Sequence, residues 1–498
     1  MLPIIPLTAF IAVTLFGAAL GARHTLHMFQ LNGYRHDVQR QWAQKNRRAL
    51  LLFLPLAGGF FFWPKKAKKP LAYTARVKRM LVTAALLAAL LAGFIALLAY
   101  LFDNVYWYYA VYLLQLVSPN LILAADWLNQ PVEKAVCAHY IKEAKQKLAD
   151  SPNLIKIGIT GSYGKTSVKY YLQTLLRARY TVFMTPEGVN TPMGVVRAIR
   201  EGLTAAHEIF LCEMGAKWVG EIKELCDLVG PRHGVLTSIG PQHLESFRTL
   251  ENVISTKFEL ADALPEGGIL FANGEDENIR KKLGGYPKVV TYAAQEGGGE
   301  YFAEDIAADG RGTTFTVVTP GGERERFTTR LIGRHNVVNL VGAVAAAHTL
   351  GVPLRDLKGQ MRRITPVPHR QELIDGGDVL VIDDAYNSNP VGAKAALDTL
   401  SLFGGTKILV TPGMIELGPR QAELNGRFGA QAAAVCDYIA LVGATQTRPL
   451  YDGAVAAGFP PEKLIVADSL QEAQEKVRAL PCQGRKVILY ENDLPDNY

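Results

Sequence analysis

The stretch IKIGITGSYGKTSVKYYL, which begins at Ile155, holds side chains whose types and spacing could do chemistry. Three β-branched residues, Ile155, Ile157 and Ile159, give way to Gly161 and Gly164, then to Lys165, Thr166 and Ser167, and then to a helical pattern. A strand, a glycine-rich turn and a helix in that order make a phosphate cradle. The glycines let backbone N–H groups face phosphate oxygens, the lysine reaches the outer phosphates, the threonine hydroxyl can ligate magnesium, and the helix presents its positive end. Gly161, Ser162, Gly164, Lys165, Thr166 and Ser167 are therefore the nucleotide-binding candidates. The strict spacing G-x-x-x-x-G-K-[ST] asks for glycine at position 159, where an isoleucine stands. Two further candidates lie beyond apolar runs: Glu213 directly after EIFLC, and His243 shortly after HGVLTSIG. By residue type alone, Glu213 is either a metal ligand at a strand end or a capping acid. His243 is either a ligand or an ordinary core histidine.

Such side chains need a scaffold. From Leu154 onward short apolar runs (LIKIGI, EIFLCEMG, HGVLTSIG, GGILFAN) alternate with helical segments, which predicts a parallel, doubly wound α/β sheet. Ligands bind such sheets at the C-terminal ends of their strands. After Pro366 and Pro368 the alternation restarts with VLVIDD, KILVTP, YIALVG, LIVA and KVILYE, so a second Rossmann-like unit is expected over 366–498, joined by a linker near 364–369. The central ATP-binding domain then covers 131–365.

The first 130 residues differ in kind. Residues 2–22, 80–102 and 105–125 are nearly all apolar and close to the length that spans a bilayer, about 20 residues. The run 49–63 is shorter and has Gly58-Gly59 at its middle, as expected of a re-entrant segment. Basic stretches flank it on both sides (Arg23 to Arg48 and Lys65 to Arg79), which places both in the cytoplasm and Asp103-Asn104 outside. The expectation is a multi-pass protein of the plasma (inner) membrane with three spans and its catalytic domains cytoplasmic. A cleaved signal peptide is the competing account of the first run, but that run lacks a basic start and further apolar runs follow. The formal net charge is +7, concentrated in this first quarter, which suits anionic membrane lipid as a partner better than nucleic acid. Five scattered cysteines, without a C-x-x-C pair or a neighbouring His cluster, suggest neither a disulfide framework nor a zinc site.

Beyond these readings, the chain resembles the Mur ligases, ATP-dependent amide-forming enzymes of peptidoglycan synthesis. The matching words are GITGSYGKTS, EMGAKWVGEI, TSIGPQHLESF, STKFE, LIGRHNVVNLVGAVAAA, PVPHRQE and VIDDAYNSNP, in the family's order. DDAYNSNP and GMIELG look most like the branch that adds D-alanyl-D-alanine to a UDP-muramyl peptide. The resemblance implies ATP and Mg2+ as cofactors and Lys165, His243 and Lys257 as catalytic residues. It implies that Thr166 and Glu213 hold one magnesium, and that His243 and Lys257 serve a second, Lys257 as an N-carbamate. Asn336, and His335 beside it, match the adenine contact. Arg370, Asp384 and Tyr386 match residues of a C-terminal domain that closes over the nucleotide. Without the resemblance, Asn336 would be an ordinary helix N-cap, Lys257 a surface lysine and Asp384 any strand-end acid.

The resemblance also has gaps. A typical member of that branch begins with a soluble domain for the uridine nucleotide, where this chain has apolar segments. It ends on a basic KGS-like word, where this chain has VILYENDLPDNY. The carboxylate substrate is thus either a soluble UDP-linked peptide or a lipid-linked or other envelope carboxylate, and the amine an amino acid or dipeptide. A membrane ATPase with a phosphate-binding loop and no ligase activity is the remaining alternative.

Overall fold

The computed structural model describes residues 4–45, 69–309, 312–386, 388–482 and 484–493, in two compact units that divide between His139 and Tyr140. The first unit is helical: α1 (Ile4–Leu31), α2 (His36–Lys45), α3 (Ala75–Leu101), and the start of α4 (Tyr112–Ala149), which follows a 3-10 turn at Val105–Val111. Three helical stretches, Leu7–Leu31, Ala75–Leu101 and Tyr106–Ala149, are long and apolar enough to cross a membrane. They overlap the three runs expected from the sequence, with the first and third helices continuing beyond residues 22 and 125 to Leu31 and Ala149. The re-entrant segment expected at 49–63 lies outside the described residues.

Polar side chains knit this unit at one end. Asp126, 1% exposed, accepts from Arg76 Nη2 at 2.8 Å and pairs with His36 Nε2 at 3.0 Å, which ties α3 and α2 to α4. Arg79 pairs in two-pronged fashion with Glu133, at 2.7 and 2.9 Å. A planar guanidinium matches a carboxylate in that way, so the pair fixes register as well as charge. Leu26, Phe29, Val77, Met80, Ile122 and Ala125 form the apolar cluster beneath.

The second unit carries two sheets. The central domain runs β1 (Ile155–Thr160), α5 (Lys165–Leu176), β2 (Val182–Met184), α6 (Pro192–Gly202), β3 (Ile209–Glu213), α7 (Glu221–Val229), β4 (His233–Leu236), α8 (Leu244–Phe247), α9 (Leu250–Asp262), β5 (Leu270–Asn273), α10 (Glu277–Arg280), β6 (Val289–Ala293), β7 (Tyr301–Asp309), β8 (Gly312–Val318), β9 (Arg324–Thr329), α11 (Arg334–Thr349) and α12 (Leu354–Met361). Its nine strands lie in the order β2-β3-β1-β4-β5-β6-β7-β8-β9, parallel from β2 to β7. β8 and β9 add an antiparallel extension. Strands buried on both faces read as continuous apolar runs, and β3 and β4 are buried throughout. The T-T-F-T-V-V of β8 belongs instead to an antiparallel strand whose Thr314 and Thr316 are less buried than their neighbours, a pattern the parallel alternation did not anticipate.

The C-terminal domain holds β10 (Glu372–Asp375), β11 (Val379–Asp384), α13 (Pro390–Ser401), β12 (Thr406–Thr411), α14 (Gln421–Ala433), β13 (Tyr438–Val442), α15 (Arg448–Ala456), β14 (Leu464–Ala467), α16 (Leu470–Ala479) and β15 (Lys486–Glu491). The strand order is β10-β11-β15-β12-β13-β14, parallel except for β10. Both expected α/β domains are thus present. In the central sheet β1 lies between β3 and β4, and the chain crosses from the β2-β3 side to the β4 side there, so a crevice opens beyond the C-terminal end of β1.

Candidate functional site

That crevice holds the glycine-rich loop. Gly164 stands before α5 with φ +81°, a left-handed backbone that suits glycine, and a Cβ there would sit 2.8 Å from Asn339 Oδ1. At Gly161 a Cβ would come within 2.1 Å of Thr237 Oγ1, so the loop closes against the segment after β4 only without a side chain. Ser162 is held there too: its hydroxyl donates to Gly240 O at 3.0 Å, and its backbone N–H donates to Ser238 O at 2.6 Å. Ser167 is buried in the first turn of α5, where it engages Tyr171.

Lys165 curls over its own loop, donating to Gly161 O at 2.8 Å and Ser162 O at 3.1 Å. Burial lowers its pKa to about 8, with Glu213 opposing and Arg370 assisting, so at neutral pH it remains mostly an ammonium. The Thr166 hydroxyl donates to Glu213 Oε1 at 3.1 Å, which brings the two expected magnesium ligands together. Arg370, from the C-terminal domain, reaches the same hydroxyl at 3.4 Å, and its guanidinium lies 4.3 Å from the ring centroid of Tyr386. His369 and Gln371, on either side of Arg370, have φ of +57° and +51°. The backbone therefore twists through an unfavourable region to deliver Arg370.

One partner of Glu213 escaped the sequence reading. Lys169, wholly buried one helical turn after Lys165, pairs with Glu213 Oε2 at 3.0 Å. The carboxylate also accepts from Asn190 Nδ2 at 3.2 Å. Burial tends to raise the pKa of Glu213, but Lys169 and Lys165 outweigh it and the net shift is downward, so the group is ionised. Thr166 and Glu213 offer hard oxygens of the kind magnesium takes. Among the described residues no group of three His, Cys, Asp or Glu side chains forms a metal cage. Magnesium fits that setting because it commonly keeps waters and takes substrate phosphates as ligands.

Replacing Lys169 by Met should strip Glu213 of its buried counter-charge. Breaking such a pair costs about 3–5 kcal/mol, so the full chain in detergent should show a clearly lowered denaturant midpoint. The double variant Lys169→Met/Glu213→Gln should recover much of that loss. A double variant no more stable than the single one would mean the pair is not the source.

His243 precedes α8 with φ +50°, and its Nδ1 hydrogen-bonds Glu416 of the C-terminal domain. Burial lowers the pKa of His243, with Glu416 opposing and Lys217 and Lys257 assisting, so the ring is neutral. Glu416 lies inside the word GMIELG and also pairs with Lys217 Nζ at 3.0 Å. Lys257, on α9, is 1% exposed and hence no surface lysine. Its ammonium meets no hydrogen-bond or ion-pair partner among the described residues, and burial first, then Lys165, pull its pKa well down.

The remaining expected residues divide. Asn336 is no N-cap: Gly333 holds that position, and the Asn336 amide is engaged inside the domain by Tyr171 Oη at 2.9 Å and Ile332 O at 2.8 Å. Beside it, burial lowers the pKa of His335 to about 4. Asp384 ends β11 in register with Glu491 at the end of β15. Burial raises the pKa of both carboxyls, and Ser388 Oγ donates to Glu491 Oε1 at 2.6 Å. The sequence reading missed Glu491.

Family models match most of this second unit: the Mur ligase middle domain over residues 159–347, and the Mur ligase glutamate ligase domain over residues 369–490. The chain belongs to the Mur ligase family. It is 32% identical over 278 residues to the UDP-N-acetylmuramoyl-tripeptide--D-alanyl-D-alanine ligase of Bacillus subtilis, covering 55% of this chain and 59% of that one. With the same ligase of Escherichia coli the identity is 30% over 291 residues, covering 58% and 64%. The chain thus spans about three fifths of the length of these curated relatives. Among solved structures, MurF from Acinetobacter baumannii superposes with a TM-score of 0.65 at 25% identity, covering 73% of this chain and 78% of that one. MurF from Thermotoga maritima in complex with ADP gives 0.64 at 25%, covering 72% and 80%. As a Mur ligase, the chain places GITGSYGKTS, EMGAKWVGEI and PVPHRQE around one crevice, at Thr166, Glu213 and Arg370.

Proposed function

We propose that this Mur ligase forms an amide bond at the expense of ATP, adding D-alanyl-D-alanine to a UDP-muramyl tripeptide in peptidoglycan precursor synthesis. The observation that carries the reading is the convergence on Thr166. Its hydroxyl meets Glu213 of the central domain and Arg370 of the C-terminal domain, directly beside Lys165. A carboxylate is a poor electrophile, and its oxygen must approach a γ-phosphate of like charge. In the proposed reaction that oxygen bonds to the γ-phosphorus as ADP leaves. The amine nitrogen then attacks the acyl carbon, loses a proton and expels phosphate.

Lys165 and Arg370 bring cationic charge to the crevice, where positioning and electrostatics do most of the work of phosphoryl transfer. Thr166 and Glu213 would hold one Mg2+, and His243 with a carbamylated Lys257 a second. Bound magnesium supplies further positive charge that screens the phosphate from the incoming carboxylate. Asn336 and His335 would lie toward the adenine, and Asp384 and Tyr386 would close over the nucleotide together with Arg370.

The first unit would anchor the enzyme in the plasma membrane, with the catalytic domains in the cytoplasm and membrane lipid as a partner. On α3 the residues Val82, Leu86, Leu90, Phe94, Leu97 and Leu101 are each at least half exposed, a continuous apolar stripe that water would penalise and lipid would cover. Single cysteines at Pro70→Cys and Asn104→Cys, in a background with the native cysteines replaced, should report this topology in intact cells. Position 104 should label from outside and position 70 only after permeabilisation. Labelling of position 70 from outside would overturn the assignment.

The same stripe favours a second reading, a ligase for a lipid-linked or other envelope carboxylate. Purified protein supplied with ATP, D-alanyl-D-alanine and a panel of UDP-linked and lipid-linked peptides should release phosphate only with a matching peptide. Activity on the UDP-linked tripeptide supports the first reading, and activity confined to lipid-linked peptides the second. Steady hydrolysis of ATP without peptide or amine would instead identify an ATPase that is not a ligase.

A further inference from the structure

His243 and Glu416 are far apart in sequence and belong to different domains, yet they share a hydrogen bond through Nδ1 of the ring. Both hold left-handed backbone, φ +50° and +60°, which a residue with a Cβ adopts at a cost. Strain of that kind persists where the surroundings enforce it, and it clusters at working sites. The loop bearing Glu416 is seated on the helix that follows His243: a Cβ on Gly418 would lie 3.5 Å from the carbonyl carbon of Leu244. Glu416 meets the ring through one oxygen and pairs through the other with Lys217 Nζ at 3.0 Å. A carboxylate oxygen accepts, so the bond places a proton on Nδ1, and the neutral tautomer that has its proton there keeps its lone pair on Nε2. Nε2 has no partner in the chain among the described residues.

We propose that Glu416 is a positioning residue for the metal site: reaching across from the C-terminal domain, it fixes the His243 ring and tautomer so that Nε2 can bind a divalent cation. The inference rests on the reading of His243 as a metal ligand and adds a consequence to it. The orienting carboxylate arrives from the other domain, so docking of that domain and affinity for metal at His243 are coupled. Outer partners of metal-bound histidines act in this way, and their removal weakens metal binding by about 10–100-fold.

The test is Mn2+ affinity of the full-length protein in detergent with ADP present, read from the free-Mn2+ EPR signal. Glu416→Ala should weaken binding by about 10-fold or more. Glu416→Gln, whose amide oxygen still accepts from Nδ1–H, should retain much of the affinity. Lys217→Ala breaks the other half of the pair but leaves the ring's partner in place, and should stay close to wild type. Two results would overturn the proposal: Glu416→Ala binding like wild type while His243→Ala is weakened, or Lys217→Ala losing as much as Glu416→Ala, which would reduce Glu416 to a clasp between domains. If His243→Ala itself binds Mn2+ like wild type, the histidine is no ligand, and the reading beneath the proposal fails as well.

Discussion

Lys165→Ala is expected to lower turnover by about 10²-fold or more, because its ammonium acts on charge that develops as the phosphoryl group moves. The present contacts of the side chain are two carbonyls of its own loop, Gly161 O and Ser162 O. Losing such hydrogen bonds costs about 1 kcal/mol each in stability, too little to unfold a domain of this size. Activity and fold therefore separate in this variant: circular dichroism and the denaturant midpoint should stay near wild type while phosphate release collapses. A purified variant that turns over like wild type would remove the loop from the phosphate site.

The second large effect is expected at Lys257. A lysine 1% exposed, with no hydrogen-bond or ion-pair partner among the described residues, is held where its charged form is disfavoured. Burial is the main cause, Lys165 adds repulsion, and Glu221 and Glu259 only partly offset them. The neutral amine can add to carbon dioxide with loss of one proton, and the resulting carbamate carries oxygen ligands suited to magnesium. An ammonium beside His243 would repel a cation, whereas a carbamate attracts it. Lys257→Ala should therefore be nearly inactive, yet partly restored by short carboxylic acids, and wild-type activity should fall when bicarbonate is rigorously removed. Unimpaired activity in Lys257→Ala or Lys257→Arg would show that no carbamate is used.

What the sequence disclosed was local. The loop from Gly161 to Ser167 is contiguous, so its glycines, lysine and threonine can be read together, and both α/β domains follow from strands whose apolar runs are uninterrupted. The groups that were not legible are partners joined only by folding. Lys169 reads as one more polar residue of α5 until β3 carries Glu213 to it. Glu416 is brought to His243 by the docking of the C-terminal domain, and Glu491 meets Asp384 because β15 inserts beside β11 rather than at the sheet edge. Asn336 was named through the family word alone: its position near a helix start would otherwise read as an N-cap, but Gly333 holds that place and the amide turns inward to Tyr171. The antiparallel strands β8 and β9 were passed over because Thr-rich alternation is a weaker signal than an apolar run.

The most direct test of the account follows one oxygen atom. If Lys165, Thr166, Glu213 and Arg370 serve transfer of the γ-phosphoryl group onto a carboxylate, the phosphate released must carry an oxygen from that carboxylate. The full-length protein should be given ATP, D-alanyl-D-alanine and UDP-muramyl tripeptide labelled with 18O in its terminal carboxylate, and the phosphate analysed by mass spectrometry. The account predicts one labelled oxygen per phosphate, matched by one amide formed. Unlabelled phosphate, or label entering only from 18O-water, would mean that ATP is hydrolysed without an acyl phosphate, and the central claim would be wrong.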